Sequence, residues 1–295
     1  MRIDRMLRER GPVFSFEFFP PHTDEGEENL FRAITELREL EPSFVSVTQR
    51  RGSTRVRTLE LVVRIRRELG LEPMAHFTCA DATVDELHGV LGRLRDEGID
   101  NVLALRGDPP SADGAFVAAA GGLSHSSELL ALITANYDFC VGGACYPESH
   151  SESVSPDDDL RQTKLKVDSG ACFLITQLFF DNRAYFDFVA RARRAGIDVP
   201  IIPGIMPITR ATQVDRFESK MFGAHIPEPL CEAVQRRKEE PEAVMQLGVA
   251  WSTLQCAELL AGGAPGVHFY TLNRSPATRA ILSALQAAQP WERAG

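Results

Sequence analysis

Short apolar runs alternate with amphipathic stretches along almost the whole chain. The runs begin near Val13, Phe44, Glu72, Asn101, Phe139, Cys172, Pro200 and Val267. They read as strands buried on both faces, the pattern of a parallel sheet covered by helices. Between them apolar residues recur at helical spacing, as in Val84, Leu87, Leu91 and Leu94, or Tyr185, Phe188, Val189 and Ala192. Leu69-Gly70, Glu97-Gly98 and Ala195-Gly196 each place glycine where a helix ends in a left-handed cap. Ser275-Pro276 reads as an N-cap followed by proline in the first helical position. Eight strand–helix units follow, most of them about thirty residues apart. The pattern predicts an α/β chain folded as one (β/α)8 TIM barrel over residues 1–295, with extra helical sequence at about 226–260. An open doubly wound sheet is the competing arrangement, but no GxGxxG follows the first strand.

Composition narrows the function classes. Forty-one acidic against 32 basic residues give a net charge of −9, which disfavours nucleic acid as a partner. No apolar run approaches the roughly 18–20 residues that span a bilayer, and the N-terminus lacks the apolar core of a signal peptide. Cys79, Cys140, Cys145, Cys172, Cys231 and Cys256 form no CxxC pair or other metal-like spacing. A reduced, cytoplasmic protein without a metal site is expected.

A barrel demands that its chemistry sit at the C-terminal ends of the strands. Polar residues gather there: Glu17, Thr48-Gln49-Arg50-Arg51-Gly52, His76 with Thr78, Arg106-Gly107-Asp108, Tyr146-Pro147-Glu148-Ser149-His150, Thr176-Gln177, and Tyr270 to Arg274. In Phe14-Ser15-Phe16-Glu17-Phe18-Phe19-Pro20-Pro21 one carboxylate stands among four phenylalanines. A desolvated carboxylate holds its proton, as a general acid must. The alternative is a Glu17 turned to water or neutralised by arginine.

Phe16-Glu17-Phe18-Phe19-Pro20-Pro21, His76-Phe77-Thr78-Cys79, Ala104-Leu105-Arg106-Gly107-Asp108 and Tyr146-Pro147-Glu148 occur in this order. Lys166-Val167-Asp168, Ile175 to Asp181, Ile202-Pro203-Gly204-Ile205-Met206-Pro207 and Phe269 to Arg274 follow. Over nearly its whole length the chain resembles the methylenetetrahydrofolate reductases. The resemblance implies a TIM barrel carrying FAD, which NADH or NADPH reduces before methylenetetrahydrofolate accepts the hydride. It implies Glu17 as the general acid that helps open the folate ring, and Asp108 as the carboxylate that steadies the cationic iminium. Glu17, Asp108, Gln177, Gln213, Phe217, Tyr270 and Arg274 fall at folate or nicotinamide positions. Thr48, His76, Arg106, Gly107, Asp108, Ala144, Tyr146, His150, Asp159, Gln162 and Lys166 fall at FAD positions. Here Gly107 would permit close backbone approach, and Arg106 and Lys166 would offset diphosphate charge. A homo-oligomer is expected as well. Without a long C-terminal extension, no S-adenosylmethionine control is expected within the chain.

The chain departs from the family in the loop Gln49-Arg50-Arg51-Gly52, which replaces an aromatic residue and glycines, and around His125 and Leu165. These changes bear on flavin affinity. They keep open a flavin-independent reductase with direct hydride transfer, and a catalytically weak member serving as a regulatory partner subunit.

Overall fold

A computed structural model describes residues 1–49, 55–108, 116–218 and 223–292. Arg50, Arg51 and Gly52 of the altered loop lie outside the described residues. The first half runs α1 (Ile3–Glu9), β1 (Val13–Phe18), α2 (Asp24–Arg38), β2 (Phe44–Val47), α3 (Arg55–Leu69), β3 (Pro73–Thr78), α4 (Val84–Asp96), β4 (Asn101–Leu105) and α5 (Ser126–Asn136). The second half continues β5 (Cys140–Cys145), α6 (Pro156–Asp168), β6 (Phe173–Thr176), α7 (Asn182–Arg194), β7 (Ile201–Ile202) and β8 (Gly204–Ile205). It ends α8 (Gln213–Glu218), α9 (Glu228–Arg236), α10 (Pro241–Ala261), β9 (Gly266–Tyr270) and α11 (Pro276–Ala288). Every expected strand begins within one residue of its predicted start.

The strands pair in parallel in the order β7-β6-β5-β4-β3-β2-β1-β9-β8. β7 and β8 are two halves of one barrel strand, interrupted at Pro203, which has no N–H for a ladder. One half pairs with β6 and the other with β9, so the sheet closes on itself. The helices cover the outside, as the alternating pattern predicts. Gly70, Gly98 and Gly196 adopt φ of +67°, +72° and +73°, the left-handed caps expected of them. Ser275 is the N-cap residue of α11, but its side chain makes no cap bond. Its hydroxyl donates to the Glu36 carboxylate instead. Among the described residues no helix is long and apolar enough to cross a membrane.

The pleat divides the apolar residues between two cores. Phe14, Phe16 and Phe18 point outward and pack with Leu30, Ile34 and Leu37 in the layer between sheet and helices. Val13, Phe44, Met74, Leu103, Phe173 and Ile202 fill the barrel interior, closed from below by Ile3 and Met6 of α1. Gly142 lies inside this packing: a Cβ there would come 2.4 Å from the Phe173 ring. With its N-terminal mouth plugged, the barrel opens at the other end, where the strand-end polar residues collect.

Candidate active site

A cleft of about 1310 Å³ occupies the C-terminal mouth. Every position that the family resemblance puts at FAD, folate or nicotinamide lines it, from Glu17 on β1 to Tyr270 on β9 and Arg274 beyond.

Glu17 lies at the cleft floor, its side chain 17% exposed. Its surroundings differ from the sequence expectation, because alternation sends the flanking phenylalanines to the opposite face of β1. Imidazoles face the carboxylate instead. Oε2 lies 3.3 Å from His268 Nε2 and 3.3 Å from His76 Nε2. The His268 contact is a hydrogen bond, and the ring's Nδ1 pairs with Ser15 Oγ at 2.7 Å. Ser15 and His268 are fully buried. Rotation of the Ser15 hydroxyl permits either tautomer of His268, so Nε2 can donate to an ionised Glu17 or accept from a protonated one. His76 is out of line for a hydrogen bond with Glu17, leaving its buried Nε2 without a partner. Burial pushes the His76 imidazole down to about 4, against the pull of Glu17 and with a small push from His268. His76 is therefore a neutral side chain at pH 7.

The ends of β3 and β4 form one braced unit. Gly107 adopts φ +92°, and a Cβ there would meet Ala80 Cβ at 2.7 Å. Its positive φ and its packing against the β3 turn each require glycine here. Gln49 Oε1 accepts from Thr78 N at 3.1 Å, and the Arg55 guanidinium donates to the carbonyls of Thr78 and Ala80. Asp108 is exposed at the rim. Arg106 forms a two-pronged ion pair with Glu152 at 2.6 and 2.7 Å. The hydrogen bonds to Glu152 raise the guanidinium pKa and leave less of its charge for a diphosphate.

The β5–α6 side supplies a lysine. Lys166 Nζ donates to Ala144 O at 2.8 Å and lies 5.6 Å from the Tyr146 ring centre. Burial lowers its pKa against the attraction of Cys145 and Asp159. His150 stands edge-on to Tyr146, ring centres 4.7 Å apart, and burial lowers its pKa too. Asp159, nearly fully buried, accepts from His150 N and Ser153 Oγ and so ties the turn to α6. Gln162 is exposed on the same helix.

Opposite stand Gln177, Gln213, Phe217 and Tyr270. Burial holds the Tyr270 phenol well above its ordinary pKa, and it donates to Thr176 O at 2.7 Å. Gln177 Oε1 accepts from Leu178 N at 2.9 Å. Gln213 Oε1 accepts from Thr209 N and Arg210 N at 2.7 and 2.9 Å, while its buried Nε2 has no partner. Phe217 is buried against Phe180, and Arg274 is exposed at the rim.

The sequence reading named Gln49 only as part of a polar strand end and missed His268, Ser15, Arg55 and Glu152 as site residues. His268 and Ser15 had a signal: each stands two residues before a named candidate on its own strand, hence on the same inward face. Glu152 had none, since its pairing with Arg106 depends on two loops meeting in space.

The profile of the methylenetetrahydrofolate reductase family matches residues 2–286. The chain belongs to this family. The 5,10-methylenetetrahydrofolate reductase of Escherichia coli is 39% identical over 272 residues, covering 92% of this chain and 90% of that one. The Arabidopsis thaliana protein named methylenetetrahydrofolate reductase (NADH) 1 is 36% identical over 312 residues, covering 99% of this chain. The chain spans only 52% of that plant relative. An uncharacterised Clostridium thermocellum protein, solved with two copies of 5-methyl-5,6,7,8-tetrahydrofolic acid, shares the fold with a TM-score of 0.66. The two are 17% identical, with 98% of this chain and 99% of that one covered.

Proposed function

We propose that the chain reduces 5,10-methylenetetrahydrofolate to 5-methyltetrahydrofolate with NADH or NADPH, by way of FAD. The observation that carries this reading is the convergence of Glu17, Asp108 and Gln177 on one cleft in a member of this family.

The residues present fit a flavin. Thr48 Oγ1 and His76 Nε2 are buried polar atoms without hydrogen-bond partners, both in the cleft wall. Each such atom costs about 1–3 kcal/mol until something satisfies it. Lys166 offers a half-buried cation beside the aromatic Tyr146. Thr48, His76, Ala144, Tyr146, His150, Asp159, Gln162 and Lys166, with the 106–108 turn, would hold the group. When bound, the flavin supplies two-electron transfer between the nicotinamide and the folate.

The protein's own contribution is acid catalysis and charge stabilisation. Glu17, held against His268, gives its proton to the departing nitrogen of the folate's five-membered ring, and the ring opens to an iminium. With the Ser15 hydroxyl turned to Nδ1, His268 Nε2–H can donate to Glu17 both before and after the proton leaves. Asp108 places negative charge by the cationic iminium. Gln177 offers an amide to the pterin edge, and Arg274 a rim cation for the folate carboxylates.

The test is turnover: purified protein with FAD, NADH or NADPH, and methylenetetrahydrofolate, followed by nicotinamide absorbance and by mass detection of the folate. Formation of 5-methyltetrahydrofolate in step with nicotinamide oxidation is the expected outcome. Nicotinamide oxidation with no methyl product would refute the assignment.

A further inference from the structure

The face opposite the cleft holds two sulfurs in contact. Cys140 opens β5 and Cys172 immediately precedes β6, so both lie at the closed end of the barrel. Their Sγ atoms are 3.3 Å apart. A hydrogen-bonded chain runs through them: Asp4 N donates to Cys140 Sγ at 3.3 Å, and Cys172 Sγ donates to Val141 O at 3.2 Å. Cys140 is fully buried in the lower core, whereas Cys172 is partly exposed. Among the described residues the other cysteines make no such sulfur pair.

We propose that Cys140 and Cys172 are a redox modification site that peroxide converts to a disulfide joining β5 to β6. The asymmetry of the pair assigns the roles. The Cys140 thiol donates to Cys172, which lowers the Cys172 pKa and raises that of Cys140, with burial adding to the latter. Cys172, partly exposed, is therefore the sulfur that peroxide reaches, and buried Cys140 the resolving thiol. The Cys172 sulfur attacks one peroxide oxygen and the O–O bond breaks. Cys172 becomes a sulfenic acid, and the second oxygen leaves as water once protonated. The Cys140 sulfur then attacks the sulfenic sulfur, expelling a second water and leaving an S–S bond. Two electrons pass from the two sulfurs to the peroxide. Bond formation requires the sulfurs to close by about 1.3 Å from their present separation. Cys140 belongs to the contact that holds the start of α1, so closure acts directly on the plug of the barrel.

A cation is the competing occupant, because an Asp4 oxygen and both sulfurs lie within 4.8 Å of one another. The Asp4 carboxylate, however, is already engaged by Arg2 and Arg8, each at 3.3 Å. That leaves the sulfurs as a pair without a carboxylate to complete a metal site.

The experiment uses the full chain, treated with a small molar excess of hydrogen peroxide, quenched, alkylated and mapped by mass spectrometry without reductant. The expected product is about one disulfide per chain, linking the Cys140 and Cys172 peptides and reversed by dithiothreitol. In Cys140→Ser a sulfenic acid should accumulate at Cys172 and be captured by dimedone. The proposal is overturned if wild-type Cys172 remains alkylatable, if peroxide reacts first at Cys231, or if cadmium protects both thiols while peroxide leaves them unlinked.

Discussion

His76 supplies a pH test of the buried array beneath the cleft. Burial displaces its imidazole from 6.5 to about 4, with Glu17 and His268 as its charged or titratable neighbours. Between those values the unfolded chain binds a proton that the folded chain refuses. Stability therefore rises with pH across this window and is lost as the pH falls from about 6.5 towards 4. At about 1.4 kcal/mol per pH unit the loss amounts to about 3 kcal/mol. His76→Gln keeps a polar side chain of similar reach but cannot titrate, so its stability should fall less steeply over the same range. Urea unfolding of both proteins, at half-unit steps from pH 7 to pH 4, measures the difference between the two slopes. His150, also lowered by burial, is common to both and cancels. Parallel pH profiles would refute the reasoning, since they would mean that His76 accepts its proton as easily folded as unfolded.

Gly142→Ala should destabilise the fold by about 1–3 kcal/mol, because the new Cβ would stand 2.4 Å from the fully buried Phe173 ring. Chemical denaturation checks this, and an unchanged midpoint would mean the lower core can yield. Lys166→Met removes the half-buried cation of the β5–α6 side and should weaken FAD binding by about tenfold, read by flavin fluorescence titration. Asp108→Asn alters an exposed rim residue, so stability should stay within about 0.5 kcal/mol. Its folate reduction step should nonetheless slow by at least ~10-fold in single-turnover mixing. A wild-type rate there would remove Asp108 from charge stabilisation.

Much of the barrel was legible because each parallel strand is buried on both faces and so prints a continuous apolar run. The helix stops at Gly70, Gly98 and Gly196 were legible for a local reason, the left-handed backbone each supplies. Helix α1 was not: in seven residues it offers only Ile3, Met6 and the half-buried Leu7 as apolar positions, too few for a period. The break in the seventh barrel strand at Pro203 was also unread, although proline's missing N–H is a local signal. Glu17 was found for a reason that the pleat contradicts. Its phenylalanine neighbours in sequence are its opposites in space, and its true neighbours come from β3 and β9, more than fifty residues away. Arg106 shows the same limit, since its partner Glu152 lies on another loop.

The central claim is that Glu17 delivers the proton for folate reduction and has no part in nicotinamide oxidation. Glu17→Gln keeps the side chain's shape and removes its exchangeable acid proton. Stopped-flow mixing of the FAD-loaded variant, first with NADH and then with methylenetetrahydrofolate, separates the two half-reactions. Flavin reduction by NADH should proceed near the wild-type rate, while reoxidation by the folate should fall by at least ~10²-fold. Folate reoxidation at the wild-type rate, or an equal loss in both half-reactions, would contradict the account.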